Sequence, residues 1–219
     1  AIRVGLVGFG YASKTFHAPL IGGTPGMALK AVASSDADKV HADWPGVKVM
    51  SAPGDLLDDP DIDLVVIATP NDTHFPLAKA ALEAGKHVVV DKPFTVTLSQ
   101  ARELESLAKH CGRILSVFHN RRWDSDFLTV SALINEGQLG EVCYFESHFD
   151  RFRPQVRQRW REQAGPGSGI WYDLAPHLLD QVVVLFGLPV SITVDLAQLR
   201  PGAQSTDYFH AVLAYPQRR

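Results

Sequence analysis

The sequence predicts an α/β fold on three observations: a doubly wound parallel sheet followed by a smaller α+β domain with an open, mainly antiparallel sheet. First, apolar β-branched runs such as Val88-Val89-Val90 show no polar alternation, which suits strands covered on both faces. Second, such runs alternate with helical stretches over residues 1–120. Third, beyond residue 120 longer strands meet at a Pro201-Gly202 turn, marking a second domain over residues 121–219.

Ile2 to Val7 reads as the first strand. It runs into Gly8-Phe9-Gly10-Tyr11-Ala12-Ser13 and a short helix through His17 to Ile21. Strand, glycine turn and helix form the context of a dinucleotide fingerprint. Gly8 permits the tight turn, Gly10 lets backbone N–H groups approach a pyrophosphate, and the helix start adds its positive end. Tyr11 and Ala12 share that loop, and Ser13 stands in place of a third glycine. The second strand, Leu29 to Ser34, leads into Ser35 and Asp36, at the spacing where a carboxylate reads the adenosine ribose. Asp36 there leans toward NAD, the neighbouring serines leave NADP open, and the same residue is equally suited to cap a helix from Ala37 to Ala42.

After a short strand at Val47 to Met50, Ile62 to Ala68 forms a fourth, ending in Thr69-Pro70-Asn71-Asp72-Thr73-His74. A helix from Thr73 to Ala84 follows, with Leu77, Ala80, Ala81 and Ala84 on one face and Gly85 to end it. The fifth strand closes on Asp91-Lys92-Pro93, so Lys92 leaves at the carboxyl edge, where open α/β sheets bind ligands. A helix over Thr97 to His110 and a strand over Ile114 to Phe118 complete the first domain. The second is expected to hold a helix at Phe127 to Glu136, a long strand at Val142 to Phe149 and a polar loop over 151–169. A helix at Asp173 to Phe186 and strands at Val190 to Leu199 and Tyr208 to Tyr215 then follow. So few strands make a thin domain, which reads as the N-terminal part of a larger one.

The 219 residues are 46% hydrophobic and 21% charged, ordinary for a globular chain with a sizeable core. A formal charge of −3 argues against a nucleic-acid or anionic-membrane binder. No run is long enough to span a bilayer, and no charged-then-apolar leader opens the chain. Two isolated cysteines, Cys111 and Cys143, suit a reducing compartment, and a cytoplasmic location is expected. His17, His41, His87, His110, His148 and His210 do not recur at metal-ligand spacing, so no metal is expected and they read as structural or surface residues. Arg151, Arg153, Arg157, Arg159 and Arg161 form the one notable charge cluster. Its default reading is a solvated loop, and its functional one a lid or anion contact near a substrate.

Three ordered motifs together resemble the glucose–fructose oxidoreductase and inositol dehydrogenase (Gfo/Idh/MocA) family. They are Thr69-Pro70-Asn71-x-x-His74, Lys92-Pro93 and Asp173-x-x-x-His177. His119-Asn120-Arg121-Arg122-Trp123-Asp124 and Trp171-Tyr172-Asp173-Leu174 place the likeness nearest the scyllo-inositol dehydrogenase-like bacterial oxidoreductases. Two positions depart from the family pattern: Asp91 replaces its usual glutamate, and Asp36 stands where the NADP-using branch tends to carry a basic residue. The resemblance implies a Rossmann domain binding NAD or NADP through Gly8, Gly10, Tyr11, Ala12, Ser13, Ser35, Asp36, Thr69, Pro70, Asn71, His74, Asp91, Lys92 and Pro93. It further implies a homo-oligomer, dimer or tetramer, acting on a small polyol, cyclitol or sugar. Lys92, Asp173 and His177 are the expected catalytic set, with Arg121, Trp123 and Trp160 joining Asp173 and His177 around the substrate. His177 suits the base because imidazole accepts and returns a proton near neutrality, and the i, i+4 spacing sets Asp173 on its face of the helix. Lys92 would offset alkoxide charge. Arg121, Arg122 and Trp123 are equally suited to a domain-interface ion pair over an aromatic. The rival reading is a non-catalytic dinucleotide or sugar-binding regulator on the same fold.

Overall fold

The computed structural model describes residues 1–216, so the last part of the expected second domain, 217–219, lies outside the described residues. The chain divides into two compact units, Ala1–Phe118 and a second from His119 onward.

In the first unit β1 (Ile2–Val7), β2 (Met27–Ala33), β3 (Lys48–Met50), β4 (Leu64–Ile67), β5 (His87–Asp91) and β6 (Leu115–Phe118) form one sheet in the order β3-β2-β1-β4-β5-β6. Every pairing is parallel, so all six strands end at one edge, and strand order reverses between β1 and β4. Alternate side chains explain the unpatterned runs. Val4, Leu6, Val32 and Val66 pack with Ala18, Ile21 and Val40 on one face, where α1 (Ala18–Gly23) and α2 (Ala37–His41) lie. Val7, Val65, Ile67, Val88 and Val90 pack with Leu56, Ala81, Leu82 and Leu104 on the other. That face carries α3 (Pro53–Leu57), α4 (His74–Glu83) and α5 (Leu98–Cys111). With both faces buried, neither can be polar.

The expected face of α4 meets the core: Ala81 is buried and Leu77 and Ala80 pack half-buried against the same cluster, joined by Ala78 and Leu82. Ala84 lies past the helix end at Glu83 and is exposed.

The second unit contains α6 (Ser125–Asn135), α7 (Gly169–Phe186) and an antiparallel pair, β7 (Ser191–Ala197) with β8 (Tyr208–Ala214). One ribbon face presents Val194, Phe209 and Ala211, half-buried, with Phe209 set edge-on to Trp171 of α7. The strand expected at Val142 to Phe149 does not form. Among the described residues no strand lies beside it, and without a neighbour's ladder an extended segment is no strand. Its aromatic side chains pack singly instead, Phe145 against Phe186 at 5.4 Å and Phe149 beneath the Arg121 guanidinium at 5.0 Å.

Candidate functional site

In the first unit the sequence-predicted cofactor residues collect at the carboxyl edge of the sheet. Gly8 to Ser13 follow β1, Ser35 and Asp36 follow β2, Thr69 to His74 follow β4, and Asp91 to Pro93 end β5. Gly8 has φ +89°, and a Cβ there would meet the Ala68 carbonyl oxygen at 2.7 Å, so only glycine lets the turn pass beside the end of β4. Gly10 is the opposite case: exposed, with nothing within 4 Å of its would-be Cβ, it leaves space at the switch point. The chain then turns helical, with Lys14 N–H donating to Gly10 C=O at 3.0 Å, and Ser13 Oγ donates to the Gly8 carbonyl at 2.9 Å. A buried Ser13 thus ties the turn, as a small residue at the third fingerprint position can. An open loop, a glycine that admits close approach and a following helix fit a dinucleotide pyrophosphate.

Asp36 caps α2, one carboxylate oxygen accepting the Lys39 N–H at 3.0 Å. It is also exposed after β2, and the cap engages only one of its two carboxylate oxygens. His74 is fully buried. Its Nδ1 lies 2.8 Å from the Pro93 carbonyl and its Nε2 3.0 Å from the Thr69 carbonyl, so the ring bridges the loops after β4 and β5. Thr69 and Thr73 hydroxyls pair at 2.6 Å in the same loop.

Asp91 accepts the backbone N–H of Lys92 at 2.7 Å, and its other oxygen lies 3.5 Å from His17 Nε2. Burial pushes the Asp91 carboxyl up, but the His17 contact and the Lys92 N–H outweigh it, and the group sits below its ordinary value. His17, only 3% exposed, stacks on Phe118 at 4.2 Å from a π-helical turn over Ser13–His17. Such turns occur often at functional sites. His17 is thus a buried structural histidine, and nothing in its local spacing pairs it with Asp91.

In the second unit Asp173 and His177 stand one turn apart on α7, His177 buried and Asp173 half-buried. Arg161 Nε lies 3.5 Å from Asp173 Oδ1, and its guanidinium stacks over Trp160 at 4.5 Å. Arg121 pairs with Asp124 at 2.8 Å and lies over the Phe149 ring at 5.0 Å, a local pair within the second unit; Trp123 is 77% exposed. Arg122 holds Asp180 of α7 through two bonds of 2.7 and 2.6 Å. Sequence reasoning missed a buried ionic group beneath the arginine loop. Glu162 accepts from Arg159 Nε at 2.8 Å and Arg157 N–H at 2.9 Å, and Arg200 reaches both Glu162 at 3.2 Å and Asp207 at 2.8 Å. Among the described residues no group of three His, Cys, Asp or Glu side chains is arranged to hold a metal ion, and no helix is long and apolar enough to cross a membrane.

Residues 2–119 match the family model for the Gfo/Idh/MocA oxidoreductase family, NAD-binding Rossmann fold, and residues 131–219 match its C-terminal alpha/beta domain. The chain is 80% identical over its whole length to the uncharacterized oxidoreductase YdgJ of Escherichia coli, of which it covers 63%. It is 39% identical over 98% of its length to IolW of Bacillus subtilis, a scyllo-inositol 2-dehydrogenase (NADP(+)), of which it covers 60%. The solved structure of the YPO2259 protein of Yersinia pestis superposes with a TM-score of 0.93 at 70% identity, over 100% of this chain and 62% of that one.

Proposed function

The chain belongs to the Gfo/Idh/MocA family of oxidoreductases, and from that premise we propose the role of its two units in an NAD(P)-dependent enzyme. The reaction moves a hydride between the nicotinamide and a hydroxyl or carbonyl of a polyol, cyclitol or sugar. Because the chain spans about three fifths of the relatives it matches, the activity is that of the whole protein. Residues 1–120 hold the cofactor, and residues 121–219 begin the substrate and oligomerisation domain of a cytoplasmic homo-oligomer.

The observation that carries this reading is the grouping of these residues within each unit. Glycine turn, Asp36, the Thr69 to Asn71 loop and Lys92 meet at one sheet edge, and Asp173 and His177 stand one turn apart on α7. Bound NAD or NADP supplies the hydride acceptor or donor. Backbone N–H groups around Gly10 bind the pyrophosphate, and Asp36 accepts from the ribose hydroxyls while repelling a 2′-phosphate. IolW, by name, uses NADP; the exposed Asp36 favours NAD here. His177 takes the hydroxyl proton, Asp173 orients the substrate or steadies the imidazolium, and Lys92 offsets the developing alkoxide charge. Arg121, Trp123 and Trp160 complete the substrate surface.

A panel of polyols, cyclitols and aldoses against the full-length protein with each dinucleotide, read as absorbance of reduced nicotinamide, tests the proposal. Turnover with at least one substrate is expected. Tight dinucleotide binding without turnover on any of them would favour the regulator instead.

A further inference from the structure

The second unit contains an open cleft of about 340 Å3 whose wall includes Asp173 and the first residues of α7. Five arginines line it, Arg151, Arg153, Arg159, Arg161 and Arg200, against three carboxylates, Glu162, Asp173 and Asp207. The carboxylates are already matched. Arg159 and Arg200 hold Glu162, Arg200 also holds Asp207, and Arg161 faces Asp173. Arg151 and Arg153 remain as charge in excess.

This excess is built into the unit rather than carried on a loose loop. Arg200 NH1 donates to the carbonyls of Arg153 and Gln155 at 3.2 Å each, and Ser205 Oγ donates to the Arg161 carbonyl at 3.1 Å. The loop backbone is therefore pinned to the β7–β8 connection, and Arg200 is itself anchored on Glu162 and Asp207. Burial, then the nearby charges of Arg151, Arg157 and Arg159, push the Arg153 guanidinium below its ordinary value and outweigh the opposing pull of Glu162. Crowded, partly desolvated guanidinium groups with too few carboxylates are relieved by an anion, and their planar forks match the oxygens of phosphate and carboxylate. The start of α7 at the same wall adds the positive end of an 18-residue helix. The volume is within the roughly 300–1,000 Å3 usual for small-molecule sites.

We propose that this cleft is an anion subsite, in which Arg151 and Arg153 seat a phosphate or carboxylate carried by the substrate while its reacting carbon lies toward Asp173. Substrate here rests on the reading of Asp173 and His177 given above. The class it selects is a polyol or sugar bearing an acidic group, rather than a neutral one.

Calorimetry with inorganic phosphate tests the subsite without reference to turnover. Full-length protein should bind phosphate saturably, and Arg153→Gln should weaken it at least tenfold with an unchanged circular-dichroism spectrum. The Arg153 carbonyl that receives Arg200 survives that substitution. Gly10→Val should remove only phosphate held at the dinucleotide loop, so the Arg153-dependent binding persists in it. Absence of saturable binding, or equal binding by Arg153→Gln, overturns the subsite whatever the enzyme does. A second arm compares glucose with glucose 6-phosphate and with gluconate, separating phosphate from carboxylate. An acidic member should exceed glucose at least tenfold in kcat/KM, and Arg153→Gln should erase that margin. Arg153-dependent phosphate binding in a protein that turns over nothing would uphold the subsite and overturn the oxidoreductase reading instead.

Discussion

In the proposed mechanism Lys92 acts through its side chain, while its backbone is held by a carboxylate that an imidazole approaches. Asp91 accepts the Lys92 N–H and lies 3.5 Å from His17 Nε2, which ties the turn after β1 to the end of β5. His17→Ala should therefore lower kcat about tenfold while leaving dinucleotide affinity nearly unchanged, since a small misplacement of a reacting group is costly. Steady-state kinetics beside calorimetry check this. Asp91→Asn keeps an acceptor for the N–H and should be milder. For the reacting groups, His177→Ala and Lys92→Met should each cost roughly a hundredfold or more in turnover. Turnover within a few-fold of wild type for His177→Ala would move the base elsewhere. Substitution separates the observed cap of Asp36 from its proposed contact with the ribose. Asp36→Asn retains the cap on α2 but loses the charge, so it should shift preference toward NADP without loss of stability; Asp36→Ala should shift it likewise and cost about 1 kcal/mol. An unchanged ratio of kcat/KM for the two cofactors in Asp36→Asn would leave only the capping role.

At the scale of elements, the turn between β1 and its helix uses two glycines for opposite reasons. At Gly8 the backbone holds a positive φ that a side chain disfavours and a methyl group would meet the Ala68 carbonyl, so Gly8→Ala should destabilise the protein by roughly 1–3 kcal/mol, seen as a lowered Tm. At Gly10 there is room, so Gly10→Val should preserve the fold and Tm yet abolish dinucleotide binding by calorimetry. Wild-type affinity in a folded Gly10→Val protein would remove the pyrophosphate from this loop. The turn was legible because strand, glycines and helix are consecutive. The missing strand at 142–149 was not, because alternation describes a segment while a ladder requires a neighbour.

For the whole molecule, acid response follows from carboxylates that the fold holds ionised. Burial pushes Asp91, Glu162 and Asp207 up, but in each case charged partners and N–H donors outweigh it, and each carboxyl sits below its ordinary value. A carboxyl depressed in the folded state contributes stability above its unfolded value and loses it as pH falls through the folded one. Chemical denaturation should therefore show stability roughly constant near neutrality and falling below the ordinary 3.8 of Asp91 and Asp207 and 4.5 of Glu162. Replacing Asp207 by Asn should flatten part of that fall. The β7–β8 ribbon leaves Val212 56% exposed on the face away from Trp171, a face that the proposed oligomer of the full-length protein would cover. Light scattering of the full-length protein should return an oligomer, and a monomer at micromolar concentration would contradict it.

The sequence by itself determined the parallel sheet, the glycine turn, the change of character near residue 120 and the Asp173–His177 stack on one helix. Each is local, since hydrophobic period, turn chemistry and i, i+4 spacing are properties of consecutive residues. Only the tertiary structure decided that His17 meets Asp91, that His74 bridges two loops, and that Arg200 pins the arginine loop on Glu162 and Asp207. These pairings join residues distant along the chain, brought together by the order of strands and the packing of helices. Charge and hydrogen bonding act through space, and no local pattern records them.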